Sequence, residues 1–334
     1  MPGSTEFCVP PFLPHRFLRG GHLQTITSIR RDKSPELNAS QHQVAVSDGD
    51  SIVLHRNQPE HWQPEDASIL LVHGITGCHA APYMIRLAHQ FLTKNICVYR
   101  MDMRGCGVGT ELTRNLTHAG RSDDIVAALD FMASESDGSL AAVGVSLGGN
   151  QLLRAVGRVG AELDVRPVWF DRLSKIAAVA PPIDLQRCSD NMERLVCRPY
   201  NQYFIRALLR RTPKFVRERH DYQQALAKGR PKTLFELDDR ITGPLGGFEG
   251  ARDYYALSSG CFVSQHNEVT TLVLAAKDDP IVPIGCFTDD PGRWSPSTRL
   301  VVTETGGHVG FVQRDRTSWM DRCLESWFKD LGRK

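Results

Sequence analysis

The sequence predicts a mixed α/β fold, in which a mostly parallel central sheet is covered by helices and interrupted by a helical insertion. Two observations carry this prediction. Short strands that are apolar throughout alternate with amphipathic helices, as is typical of a parallel sheet covered on both faces. The alternation stops between about residues 184 and 260, where helical spacing continues without strands, and then resumes.

The composition is that of a globular protein. Of 334 residues, 41% are hydrophobic and 23% are charged, and a chain of this length can bury a core without disulfides or metals. The net charge is +2, which offers no electrostatic reason to expect a nucleic-acid partner.

Cysteine usage and apolar runs bear on location. The nine cysteines form no C-x-x-C pair, so we expect neither a disulfide framework nor a zinc site. We therefore expect the protein to occupy a reducing compartment. No secretory signal and no run of about eighteen apolar residues are present, so we expect a cytoplasmic protein without a membrane-spanning segment.

The elements divide into four parts. The N-terminal arm is predicted over 1–40, and the prolines within its first fourteen residues indicate that it starts as an extended segment. The first part of the core, 41–185, opens with a hairpin around Asp48-Gly49, "HQVAVSDGDSIVLHR". Its later strands are "ASILLVHG", "ICVYRMD", "SLAAVGVS" and "KIAAVAPPI", and its helices cover "APYMIRLAHQFLTK", "RSDDIVAALDFMAS" and "LGGNQLLRAVG".

The insertion and the end of the chain complete the division. A helical cap is predicted over 186–262. The second part of the core, 263–334, contains the strands "VTTLVLAA" and "STRLVVTE" and the helix "RTSWMDRCLESWFKDL".

The segment "GVSLGG", Gly144 to Gly149, has the G-x-S-x-G form of a nucleophile elbow. In such a turn the serine has a strained backbone, so small residues must flank it. A strand precedes Ser146 and a helix follows it, as the motif requires. The alternative is a Gly-rich turn without a nucleophile.

An elbow serine needs a base and an acid later in the chain. His308 follows a core strand and lies in "GGHVGF", whereas His220 and His266 follow no core strand. We therefore predict His308 as the base.

His308 follows the last predicted strand. The acid should lie at the end of the strand before that one. Asp278 and Asp279 both lie there, in "AAKDDPIVP". We favour Asp279, which begins a D-x-[IV]-V-P run, but adjacent carboxylates are not separated by sequence alone. Asp184, after "AVAPPI", is a weaker substitute.

The oxyanion of a tetrahedral intermediate needs backbone donors. One should be the N–H of Leu147, directly after the serine, and the other the N–H of Ile75 in the loop "HGITG". His73 in that loop is expected to shape it rather than to transfer protons.

A second Gly-Gly-His stretch, "GGHLQT", begins at Gly20 in the arm. We predict a loop whose glycines allow close approach to the core, and the functional alternative is that His22 lines the mouth of a pocket.

Taken together, these motifs resemble the α/β-hydrolase superfamily, and more narrowly its YheT-like family of serine carboxylesterases. The resemblance covers nearly the whole chain: besides the elbow it includes "PFLPHRFLRGGHLQTI", "LLVHGITG", "DMRGCG", "DDRITGPLGGFEGARDYY", "AAKDDPIVP" and "GGHVGF". It implies an esterase or lipase-like hydrolase of acyl esters that uses Ser146, Asp279 and His308 and needs no cofactor or metal.

The sequence therefore predicts an ester hydrolase whose partner is a small-molecule or lipid ester, with either a medium-chain or a lipid acyl ester as the substrate. An acyltransferase with the same residues and a non-catalytic binding protein are the alternatives. The basic segment "RALLRRTPKFVRERH" of the cap is either a solvated face or a surface for peripheral contact with anionic lipid headgroups.

Overall fold

The fold is built on one eight-stranded sheet in the computed structural model, which describes residues 7–28 and 35–331. The strands are β1 (Ser40–Ala45), β2 (Ser51–Asn57), β3 (Ser68–Val72), β4 (Cys97–Asp102), β5 (Leu140–Val145), β6 (Leu173–Val179), β7 (Thr270–Ala276) and β8 (Thr298–Thr303).

The strand order is β1-β2-β4-β3-β5-β6-β7-β8. Strands β3 to β8 pair in parallel, whereas β1 and β2 form an antiparallel hairpin at one edge and β2 pairs antiparallel with β4. Both features confirm the fold class predicted from the sequence.

Helices cover both faces of the sheet. The helices are α1 (Gly21–Ser28), α2 (Pro82–Leu92), α3 (Ser122–Glu135), α4 (Leu147–Gly160), α5 (Leu185–Met192), α6 (Arg198–Arg211), α7 (Lys214–Arg217), α8 (His220–Ala227), α9 (Leu234–Leu237), α10 (Gly243–Leu245), α11 (Ala251–Ser258), α12 (Gly285–Thr288) and α13 (Trp319–Trp327). None of these helices, within residues 7–28 and 35–331, is long and apolar enough to cross a bilayer.

Two apolar cores result, one on each face. In β3, Leu70 and Val72 contribute to the core beneath α3 and α4, while Ile69 and Leu71 contribute to the core beneath α2 and α13. Because successive side chains of a strand point to opposite faces, a strand buried on both sides must be apolar at every position. This explains the uninterrupted apolar runs of the sequence.

The insertion predicted as a cap lies between β6 and β7. Helices α5 to α11 follow one another there, and residues 238–242 form a π-helical turn. The boundaries 186–262 stay a prediction, as do those of the arm and of the two parts of the core.

The arm differs from the prediction. A loop is predicted at Gly20-Gly21-His22, but residues 21–28 form the helix α1, and Gly20, at the entry of this helix, has a φ of +89°. Three positions of this helix, Gly21, Gln24 and Thr25, are buried, so tertiary packing outweighs the weak local helical preference of the segment. Residues 1–6 and 29–34 of the predicted arm, and 332–334 at the end of the second core part, lie outside the described residues.

Candidate active site

Ser146 lies in a sharp turn between β5 and α4. Its φ of 51° falls in the left-handed region, which costs a non-glycine residue about 1–2 kcal/mol. Helix α4 begins at the next residue, so the hydroxyl lies at a helix N-terminus, where partial positive charge accumulates. The Ser146 N–H donates to the Val179 carbonyl at 2.8 Å and ties the turn to β6.

The glycines of the motif allow the turn to pack. A Cβ on Gly148 would lie 2.6 Å from the His73 carbonyl oxygen, and one on Gly144 would lie 2.4 Å from the Gly148 carbonyl oxygen. Both distances are shorter than any ordinary contact, which confirms that small residues must flank the serine.

Two hydrogen bonds join Ser146, His308 and Asp279. The Nε2 atom of His308 lies 2.8 Å from Ser146 Oγ, and its Nδ1 lies 2.8 Å from Asp279 Oδ2. The other carboxylate oxygen of Asp279 accepts the N–H groups of Ile281 and Val282 at 2.8 and 3.0 Å. Because an ionised carboxylate only accepts, Nδ1 must carry the proton and Nε2 can accept from the serine hydroxyl.

The other acids have different partners. Asp278 Oδ1 accepts the Gly307 N–H at 2.8 Å and so holds the backbone beside His308 rather than its ring; burial raises the pKa of Asp278. Asp184 caps α5 by accepting the Arg187 N–H at 3.1 Å. The structure thus separates the two neighbouring aspartates that the sequence left open.

The other candidate histidines lie elsewhere. His220 begins α8 in the insertion, and His266 ends a short 3-10 turn before β7. His73 uses both ring nitrogens on the backbone, since Nδ1 donates to the Gly74 carbonyl at 2.7 Å and Nε2 accepts the Met103 N–H at 3.3 Å. Complete burial lowers the pKa of His73 and favours the neutral ring that these bonds require.

The two backbone donors expected from the sequence flank the serine. Ile75 lies in the turn after β3, and its N–H has no acceptor among the described residues. Leu147 is the first residue of α4, so its N–H has no acceptor one turn back in the helix. The loop after β3, which carries Ile75, is held by the Tyr83 hydroxyl, which accepts the Gly74 N–H at 2.9 Å.

The two Gly-Gly-His stretches pack against each other. A Cβ on Gly21 would lie 1.7 Å from the Asp278 carbonyl oxygen, so only glycine allows α1 to approach this closely. Thr25 Oγ1 accepts the backbone N–H of His308 at 2.8 Å and donates to the Gly21 carbonyl at 2.6 Å.

Gln24 makes the second contact between α1 and the loop of His308. Its amide accepts the Val312 N–H at 2.7 Å and donates to the carbonyls of Leu18 and Val312 at 3.0 and 3.2 Å. The sequence analysis missed Gln24 and Thr25. The available signal was a pair of polar residues three and four positions after Gly21, which becomes informative only once the contact with the His308 loop is known.

A cavity of about 580 Å³ opens above Ser146. Its walls are mostly apolar, and they come from α1, from the loop after β3 and from α6 of the insertion. His22 lines this cavity, in agreement with the alternative prediction that it lies at the mouth of a pocket. Its Nδ1 lies 3.0 Å from the Tyr200 hydroxyl of α6. The arm and the insertion therefore meet at the cavity.

One group of side chains in the described part of the chain, His55, His79 and Asp102, has ligand atoms close enough together to hold a metal ion. Nε2 of His55 and Nδ1 of His79 lie 3.0 and 2.8 Å from the same oxygen, Oδ2, of Asp102, and the two imidazole rings stack with centroids 3.5 Å apart. Asp102 also accepts the N–H groups of His79 and Val108. Burial alone would raise the pKa of Asp102, but these hydrogen bonds outweigh it and hold the pKa well below its usual range. The arrangement is that of a carboxylate saturated by donors.

Comparison with known proteins relates the chain to hydrolases. A family model described as the alpha/beta hydrolase fold matches residues 67–315. YheT of Escherichia coli (strain K12), whose name classes it provisionally as an esterase, is 27% identical over 95% of this chain and 92% of that protein. The monoacylglycerol lipase of Saccharomyces cerevisiae is 27% identical over 78% of this chain, which spans 57% of that lipase. The solved esterase Pf2001 of Pyrococcus furiosus shares the fold, with a TM-score of 0.58 and 13% identity over 91% of this chain and 99% of that one.

Replacing Thr25 tests the contact between α1 and the His308 loop. Thr25→Val keeps the shape of the side chain but leaves the buried His308 N–H without an acceptor, which should cost about 1–3 kcal/mol. We expect the melting temperature to fall by a few degrees, and Thr25→Ser to restore most of it.

Thr27→Val is the matched control, because Thr27 makes the same helical hydrogen bond, to Leu23 at 2.7 Å, on the exposed side of α1. It should melt within about 1 °C of the wild type. Equal melting of Thr25→Val and Thr27→Val would contradict the proposed contact.

Proposed function

We propose that this chain, which belongs to the α/β-hydrolase fold family, is a serine-dependent carboxylic ester hydrolase that works through an acyl-enzyme. One observation carries the proposal: Ser146 and His308, hydrogen-bonded to each other, line an apolar cavity, and Asp279 is hydrogen-bonded to the far nitrogen of His308. A serine hydroxyl is a weak nucleophile until an adjacent base can take its proton, and His308 supplies that base.

In the first half of the proposed reaction, Ser146 Oγ attacks the ester carbonyl while its proton passes to Nε2 of His308. The imidazolium formed is stabilised by Asp279, which stays ionised and keeps the ring oriented. The two backbone bonds to Asp279 Oδ1 support this role, since they leave Oδ2 aimed at the imidazole. His308 then returns the proton to the departing alcohol.

The backbone N–H groups of Ile75 and Leu147 donate hydrogen bonds to the negatively charged oxygen of the tetrahedral intermediate. The free N–H of Ile75 and the helical position of Leu147 support this assignment. Each such donor is typically worth about 3–4 kcal/mol in the transition state. In the second half of the reaction, water activated by His308 releases the acid, and no cofactor or metal takes part.

The cavity favours acyl esters of medium chain length or of lipids. Its volume of about 580 Å³ falls in the range of small-molecule sites, which is about 300–1,000 Å³, and its apolar walls suit a hydrocarbon chain. Transfer of the acyl group to an alcohol instead of water would use the same residues, and product analysis with added alcohols separates the two reactions.

A series of p-nitrophenyl esters from acetate to palmitate tests the proposal. We expect the highest kcat/KM at medium chain length and a loss of at least about a thousandfold in Ser146→Ala, because the nucleophile is removed. Ser174→Ala is the control, since Ser174 lies in β6 and bonds the Leu140 carbonyl at the opposite end of the sheet. Activity that is flat across the series and equal in Ser146→Ala would contradict the proposal.

We also propose that the cap contacts anionic lipid surfaces peripherally. The support is two exposed features of the cap: an apolar pair before α6, Leu195 and Val196, 70% and 57% exposed, and the exposed Arg206 and Arg210 in the second half of α6. Apolar side chains enter the interface of a bilayer, and each basic residue near an anionic surface adds about 1 kcal/mol.

Vesicle sedimentation tests this contact. Vesicles containing phosphatidylserine should bind the protein, and the double variant Arg206→Ala/Arg210→Ala should bind about 10- to 30-fold more weakly. Arg166→Ala is the control, because Arg166 precedes β6 at the end of the sheet opposite the site. Equal binding to vesicles of pure phosphatidylcholine, or equal loss in the control, would refute the contact.

A further inference from the structure

The cavity above Ser146 has one permanently charged side chain. Of the residues that line it, Arg211 carries a guanidinium, and no aspartate, glutamate or lysine is among them. The remaining walls are apolar or neutral: Val196, Pro199, Tyr203 and Phe204 lie on the cap side, and Ile75 lies in the loop after β3. The cavity is thus apolar with a single fixed positive charge.

Arg211 is the last residue of α6, where the helix dipole favours a cation. No carboxylate lies within 4 Å of its guanidinium among residues 7–28 and 35–331, and the side chain is solvent-exposed. Its charge acts on His73, Cys78 and Cys106 of the loops after β3 and β4. The guanidinium therefore lies near the wall that also carries Ile75, without a counterion.

Arg104 shows the contrast. It lines a small adjoining cavity of about 70 Å³ together with Arg211. Its guanidinium is fully buried, donates to Asp124 at 2.8 Å and also contacts Asp48. One arginine of this region is therefore neutralised by the protein, while the other, which lines both cavities, has no carboxylate partner in the described part of the chain.

An unpaired guanidinium discriminates between ligands. While water fills the cavity, the charge is hydrated. An apolar chain beside it would displace the water on the cavity side without replacing those hydrogen bonds, which is unfavourable. An anionic group would instead form two parallel charge-assisted hydrogen bonds with the planar fork of the arginine.

We infer that Arg211 binds an anionic group of the substrate, so that the preferred substrates are acyl esters carrying a carboxylate or phosphate beyond the scissile ester. This inference rests on the proposed ester hydrolase and narrows its substrate class. Arg211 is assigned a binding role, and the reacting carbonyl remains with Ser146 and His308.

Matched ester pairs test the inference. One pair is p-nitrophenyl octanoate and mono-p-nitrophenyl suberate, which differ in a terminal carboxylate on the acyl chain. The other pair is monooctanoylglycerol and monooctanoylglycerol phosphate, which differ in a phosphate on the alcohol. The wild type should favour the anionic member of at least one pair, and which pair it is distinguishes a carboxylate on the acyl chain from a phosphate on the alcohol.

Arg211→Gln should lower kcat/KM for that anionic ester about 10- to 100-fold, mainly through KM, and change the neutral ester less than threefold. Arg211→Lys should recover part of the loss. Arg198→Gln is the matched control, since Arg198 is an exposed arginine at the start of the same helix and does not line the cavity. Equal preference for neutral and anionic esters, or an equal loss on both in Arg211→Gln, would overturn the inference.

Calorimetric binding of octyl phosphate and octanol separates this inference from the proposed function. If no ester is turned over, the hydrolase proposal fails on its own, whereas binding still reports on Arg211. Octyl phosphate should bind at least tenfold more weakly to Arg211→Gln than to the wild type, with octanol binding unchanged. Equal binding of octyl phosphate by both proteins would overturn the inference.

Discussion

The hydrogen bond between Ser146 Oγ and His308 Nε2 joins two loops that are 162 residues apart in the chain, and much of the structure serves to hold them in register. Parallel strands bring the loops to one edge of the sheet, because the carboxyl ends of β5, β7 and β8 all lie there. The strained turn raises the serine, and the two bonds to Asp279 Oδ1 fix the acid. A displacement of either loop by about 1 Å would break the line.

The loop of His308 depends on residues from the start of the described chain. Helix α1 contacts it through Thr25 and Gln24 and contacts the aspartate loop through Gly21. Because His22 also reaches Tyr200 of the cap, the same short helix connects the His308 loop, the aspartate loop and the cavity wall. The repeated Gly-Gly-His stretches are therefore unequal: one carries the imidazole bonded to the serine, and the other supports it.

The features that sequence analysis predicted are those that local rules decide. Apolar runs predicted the strands, and the spacing of small residues around Ser146 predicted the turn. Asp278 and Asp279 could not be separated, because the turn through Val282 determines which carboxylate faces the imidazole. The helix at Gly21 was missed because it forms against a loop nearly 300 residues away. The role of Arg211 depends on how the insertion folds over the core, which no local pattern reports.

Labelling with a fluorophosphonate, followed by mass-spectrometric mapping of the modified residue, tests whether His308 activates the Ser146 hydroxyl. We expect one adduct, on Ser146, and labelling of His308→Ala slowed by at least about a hundredfold, because the hydroxyl has lost the base that takes its proton. His220→Ala, which removes an exposed histidine of the insertion, should label like the wild type. Modification of another residue, or equal labelling rates in the wild type and His308→Ala, would contradict this activation of Ser146 by His308.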